Sequence, residues 1–178
     1  MANNPFLWWL PTGTPDQGAA RTPAPPPPDG LPDPGPLIRR AQQIAVAIFL
    51  EECAELDLTP VQHAVLATLA DHPGSDATRI AGLTGFDRTT ISGVMERLEA
   101  KGLISRKALA SDRRIKTLAL TAAGRRLLAR AEPLVEKVQQ RILAPLPKQE
   151  QELLLILLAR LVEANNGVSR APRRGEPA

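Results

Sequence analysis

The sequence predicts a mainly α-helical fold carrying one small β-hairpin, on three observations. Apolar residues recur at helical spacing in successive stretches between residues 37 and 165. Aromatic residues make up only 3% of the chain, with no tyrosine, so the core is built of Leu, Ile, Val and Ala, a composition that favours helices. Only one place, Leu103–Lys107 with Ile115–Leu120, pairs two short apolar and β-branched runs around a polar loop.

At 178 residues the chain suits one domain with some loose sequence, on the prior of roughly 100–200 residues per domain. Residues 1–36 hold eleven of the 18 prolines and little that could pack beyond "FLWWL", so they are expected to form a disordered, partly polyproline II extension. "FLWWL" has no cation before it and is too short for a secretory apolar core. The runs "IAVAIFL" and "LLLILLA" fall well short of the roughly 18 residues that span a membrane, so no membrane partner is expected.

A first helix is expected over 37–56, with Ile44, Ala47 and Ile48 on one face. A second follows Thr59 as N-cap and Pro60 at the first helical position, and stops at Pro73-Gly74. Asp76 to Leu83 forms a short third helix. Asp87 caps a fourth running to Lys101, which Gly102 terminates. Three helices with tight glycine-containing connections read as a helix-turn-helix module. The hairpin is too short to stand alone and must lean on them. Thr121 then caps a long helix, bent at Pro133, and Pro147 opens the last one. That helix is apolar on more than one face, through Leu153, Leu154, Ile156, Leu157, Leu158 and Leu161, so a partner chain is its expected cover. The residues 166–178 read as a flexible basic tail with Arg170, Arg173 and Arg174 free for weak anion contacts.

Net charge is only +3, yet Lys101 to Arg130 holds nine cations and one anion, Asp112. Such a stretch attracts a polyanion, because each neutralised phosphate releases condensed counterions. A solvated basic face without a partner is the competing reading.

In "DRTTISGVMERLEAK", Ile91, Val94, Met95 and Leu98 share one side while Thr89, Thr90, Gly93 and Arg97 share the other. Hydroxyls suit base edges, Gly93 permits close approach, and the helix N-terminus with Arg88 favours phosphate. Ordinary amphipathic surface helices look similar in isolation. A hairpin beside a helix in the major groove, however, reaches the neighbouring minor groove, which attracts arginine. Arg114 is the residue placed to enter it, held in one orientation by Asp112, with Arg113 and Lys116 beside them.

The helix "DRTTISGVMERLEAKGLI", the segment "SDRRIK" with Asp112 and Arg114, and "LTAAGRRLL" after it resemble the MarR (multiple antibiotic resistance regulator) family. The likeness covers roughly residues 38–165. It implies a winged helix-turn-helix with a helical dimerisation region: a domain over 37–165, with a DNA-binding lobe at 57–121 and dimerisation helices at 37–56 and 122–165. It further implies a homodimer whose two recognition helices read a pseudo-palindromic operator in double-stranded DNA through Arg88, Thr89, Thr90, Ser92, Gly93, Arg97 and the hairpin residues Asp112, Arg113, Arg114 and Lys116. Many members repress transcription until a small phenolic or aromatic-acid effector enters between the dimerisation helices and the lobe. Ile48, His63 and Leu66 are the residues placed to line such a site, with an aromatic carboxylate as the effector; a satisfied structural histidine is the competing, and preferred, reading of His63. Family wings often carry a proline and a further charge before the Asp-x-Arg pair, where this chain has "ALAS", so fewer wing contacts to phosphate are expected.

A winged-helix module that docks an acidic protein partner is the alternative. An enzyme is not expected, since no nucleophile, base and orienting acid converge and no phosphate-cradling glycine loop appears. His63 and His72 lack neighbouring ligands, so neither metal nor cofactor is expected. The lone Cys53 cannot close a disulfide within the chain and reads as a buried, inert residue, which fits a cytoplasmic setting.

Overall fold

The computed structural model describes residues 32–108, 116–169 and 171–173, with backbone alone at 107, 108 and 116. Most of the expected N-terminal extension and the hairpin tip with Asp112, Arg113 and Arg114 lie outside the described residues, as do Arg170 and Arg174.

Helix α1 spans Pro34–Glu52, opening three residues earlier than expected because Pro34 sits in the first turn, where its missing amide has no helical partner anyway. It also stops earlier. Cys53 ends it, a single 3₁₀ turn follows at Ala54–Leu56, and Asp57 takes a left-handed φ of 47°. Lys101 secures that corner, its Nζ donating to Asp57 O at 2.9 Å and pairing with Asp57 Oδ2 at 2.7 Å.

Helix α2, Pro60–Asp71, begins with a full capping box: Gln62 N donates to Thr59 Oγ1 at 3.3 Å and Thr59 N to Gln62 Oε1 at 3.0 Å. Asp76 caps α3, Ala77–Thr84, accepting from Arg79 N at 2.8 Å, and Gly85 ends it at φ 70°. Asp87 caps α4, Arg88–Ala100. Its far end is a Schellman motif, with Leu103 N donating to Leu98 O, Gly102 N to Glu99 O, and Gly102 at φ 68°.

Strands β1, Ile104–Ala108, and β2, Lys116–Leu120, pair antiparallel with Ile104 opposite Leu120 and Arg106 opposite Leu118. The hairpin leans on the helices as a short sheet must. Gly74 N donates to Leu118 O and Leu118 N to Ser75 O, so the α2–α3 turn continues the hydrogen-bonding pattern of β2. Helix α5, Ala122–Leu143, runs through Pro133 without interruption. Thr121 caps it, and its hydroxyl also donates to Gly102 O at 2.7 Å, which fastens α5 to the end of α4. Helix α6 is Lys148–Asn165, and a 3₁₀ turn at Asn166–Val168 occupies the start of the expected tail.

One core joins the lobe to α1 and α5. Leu66, Leu69, Ile80, Ile91, Met95, Leu98 and Ile104 are fully enclosed, and the same cluster runs on through Phe49, Cys53, Ala131, Val135 and Val138. Burying each of its Leu, Ile, Val, Met and Phe side chains contributes about 1.5–3 kcal/mol. Glu52 at the end of α1 pairs with Lys137 at 2.8 Å and with Arg141, both on α5, while Arg141 also reaches Glu51 at 3.1 Å. The hydrogen bonds from Lys137 and then Arg141 hold the Glu52 carboxyl below the usual carboxylate range.

By contrast, α6 has no buried residue. Leu153, Ile156, Leu157, Leu158, Leu161 and Val162 are exposed on it, as are Leu37, Ile38, Ile44, Val46 and Leu50 on α1. Among the described residues no helix is long and apolar enough to cross a membrane.

Candidate nucleic-acid interface

Helix α4 divides its residues as its apolar spacing requires. Ile91, Val94, Met95 and Leu98 are buried, while Arg88, Thr89, Thr90 and Arg97 are exposed and Ser92 and Gly93 half-buried. The outward face therefore holds small polar groups flanked by two guanidiniums. A Cβ built on Gly93 would meet nothing closer than Arg97 Nη1 at 3.7 Å, ordinary van der Waals contact. The packing around it therefore does not require glycine at this position.

Thr90 is not wholly available to a base. Its hydroxyl donates to Asp87 Oδ2 at 2.5 Å while its amide donates to Asp87 Oδ1 at 2.9 Å, which lowers the Asp87 pKa. The hydroxyl keeps lone pairs with which it can still accept from a base amino group. Sequence patterning marked Thr90 as outward-facing and left its second role as part of the cap unseen. The signal available was Asp87 at the N-cap, whose side chain accepts from the backbone N–H three residues on, where Thr90 sits.

The basic stretch behind α4 is less free than its count of cations implies. Lys101 is held by Asp57, Arg106 pairs with Glu99 through Nε at 2.8 Å, and Arg125 donates through Nη1 to Leu120 O at 2.9 Å. The carboxylates involved lie outside the stretch, so a local count could not find them. Arg126 and Arg130 are exposed. The Arg106–Glu99 pair ties the first strand to the outer side of α4, and the backbone of Lys116 opens β2 at the tip end of the hairpin.

The residues expected to line an effector site fall inside the α1–α2 packing. His63 is buried with its ring 5.9 Å from that of Phe49, Leu66 is completely enclosed, and Ile48 is half-buried against the same cluster. Burial pushes the His63 pKa down to about 4, so the ring is neutral at pH 7. A shallow cavity of about 320 Å³ opens elsewhere, between the α2–α3 turn and β2, lined by residues that include His72, Ser75, Asp76, Arg79 and Thr117. Cys53 is buried just past the end of α1, and its thiol pKa is raised by burial and then by the charge of Glu52, which disfavours the reactive thiolate. No cluster of three metal-ligating side chains occurs among the described residues.

A lobe of three helices, a hairpin packed beside the third of them, and a polar outer face on that helix define a winged helix-turn-helix protein. The profile of the MarR family matches residues 56–115. The chain is 30% identical over 131 residues to the HTH-type transcriptional repressor NicR of Pseudomonas putida, covering 74% of this chain and 83% of that one. Among solved structures, Bordetella bronchiseptica BpsR, described with regulation of its DNA binding by 6-hydroxynicotinic acid, superposes with a TM-score of 0.67 at 33% identity over 71% of this chain and 96% of its own. The transcriptional repressor CouR bound to a 23-mer DNA duplex gives 0.67 at 36% identity over 72% and 92%. The chain belongs to the MarR family of transcriptional regulators.

Proposed function

We propose that this chain is a cytoplasmic, homodimeric repressor that binds a pseudo-palindromic operator and releases it on binding a small aromatic carboxylate. The observation that carries the reading is the outer face of α4, where exposed Arg88, Thr89 and Arg97 surround a glycine the fold itself does not need. Such a face can enter the major groove and bring hydroxyls and guanidiniums to base edges. The exposed apolar sides of α1 and α6 supply the surface for a second copy, and twofold symmetry would set two α4 helices to read two half-sites. The wing residues Asp112, Arg113, Arg114 and Lys116 belong to this proposal on sequence alone, with Arg114 entering the minor groove.

The effector reading draws support from BpsR, whose regulation by 6-hydroxynicotinic acid names an aromatic carboxylate. Ile48, His63 and Leu66 are its proposed lining. Because Leu66 is fully enclosed, binding there requires α1 to shift relative to α2, and a shift of that kind would carry the lobes and alter the spacing of the reading helices. The test is selection of bound sequences from a random duplex pool, with and without 6-hydroxynicotinate and related aromatic acids. Enrichment of one inverted repeat, lost when an acid is present, is the expected result. Uniform binding of all sequences at physiological salt would end the operator reading.

A further inference from the structure

Beyond α6, the described residues 166–169 and 171–173 come back to the lobe. Asn166 Nδ2 donates to Arg173 O at 2.9 Å and Arg173 N donates back to Asn166 Oδ1 at 2.8 Å, a reciprocal pair between residues seven positions apart. This pairing presents the Arg173 guanidinium to the lobe, where Nε donates to Leu83 O at 3.0 Å. Ala171 O lies beside the same turn, 3.8 Å from where a Cβ on Gly85 would sit. Arg173, expected to be available for weak anion contacts, thus makes an internal contact through Nε.

Leu83 is in the last turn of α3, where carbonyl groups lack helical amide partners and the negative end of the helix dipole favours a cation. Only Gly85, Phe86 and Asp87 separate α3 from α4, and Asp87 is the cap of α4. A change in the pose of α3's end must therefore pass into the start of the recognition helix. We propose that Arg173 is a positioning residue for DNA reading: clasped by Asn166, it ties the end of α6 to the α3–α4 turn and fixes the angle at which α4 is presented. The inference rests on the DNA-binding reading above for its consequence, though not for the contact itself. Since α6 also carries the apolar side open to a second copy, this tie joins the dimer surface to the reading head. Two recognition helices held at a set spacing lose less freedom on meeting two half-sites than two loosely hung ones.

The test uses the full chain with Arg173→Ala and, separately, Asn166→Ala, which opens the clasp and leaves the guanidinium in place. Amide hydrogen exchange at residues 83–90 is read together with affinity for the selected duplex at several salt concentrations. Arg173→Ala is expected to speed exchange at the turn by at least about tenfold, the size of one lost charge-assisted hydrogen bond, and Asn166→Ala by a smaller, several-fold factor, since it loosens the clasp but keeps the guanidinium. Affinity should fall several-fold while the slope of log affinity against log salt stays as in the parent. Unchanged exchange in both variants overturns the tie whether or not DNA is bound, and faster exchange with unchanged affinity overturns the positioning role. A slope reduced by about 0.9 in Arg173→Ala would make Arg173 a phosphate contact instead. If Arg173→Ala fails to fold, Asn166→Ala decides alone. A parent chain that prefers no duplex sequence defeats the repressor reading and leaves the exchange result to judge the tie.

Discussion

His63 makes the stability of the fold depend on pH in a direction that can be worked out. Its native pKa is about 4 against an ordinary 6.5, so the unfolded chain takes up a proton first as pH falls. Stability is accordingly whole above about pH 6.5, declines between there and about pH 4, and by linkage the loss is on the order of 3 kcal/mol. His63→Leu is expected to flatten that decline in urea titrations between pH 7 and 4, with the neutral-pH stability altered less. Gly124 is constrained in another way, because a Cβ there would stand 2.1 Å from Leu103 O, which is backbone and cannot swing aside. Gly124→Ala should therefore cost on the order of 2–4 kcal/mol in thermal or chemical unfolding, despite alanine's better helix propensity.

For α4 the useful contrast is between what the helix needs to fold and what it needs to read. Its caps, Asp87 and the Gly102 Schellman turn, and its buried side from Ile91 to Leu98 were all legible as sequence, because each is local and periodic. Gly93 stands apart, being a helix-interior glycine with free space around it. Gly93→Ala is expected to raise stability by about 0.5–1 kcal/mol and at the same time to lower operator affinity at least tenfold, since a methyl group would stand between the backbone and the bases. Calorimetry and a binding titration on one sample measure both, and an affinity equal to the parent's would take the middle of α4 out of the groove. The first helix was harder to bound. Its expected end at Leu56 moved to Glu52, where Cys53 caps it, and a separate 3₁₀ turn at Ala54–Leu56 follows, closed by the left-handed Asp57 that Lys101, 44 positions away, holds.

Across the molecule, the surface that most needs explaining is the apolar side of α6, where Ile156 is 64% exposed and Leu153, Leu157 and Leu161 form an i, i+4 stripe. In the proposed dimer each of these occurs twice, so one substitution acts at two symmetry-related places. Leu157→Glu should weaken self-association by at least about 2 kcal/mol per buried carboxylate. Sedimentation equilibrium reads this directly, and the same variant should lose affinity for the full inverted repeat much more than for a single half-site. A variant that sediments as the parent does would move the dimer surface away from α6.

By itself the sequence determined the order of the α-helices and the two strands, though not the 3₁₀ turns at Ala54–Leu56 and Asn166–Val168, together with the buried side of α4 and the apolar surplus of α6, because caps, turns and periodicity act between residues only a few positions apart. Tertiary structure alone decided which charges stay available, since the carboxylates that engage Lys101 and Arg106 and the carbonyl that accepts from Arg173 belong to other segments. A sequence records that a cation is present. Only the folded chain brings up the distant group that neutralises it, and short-range electrostatics depends on that meeting.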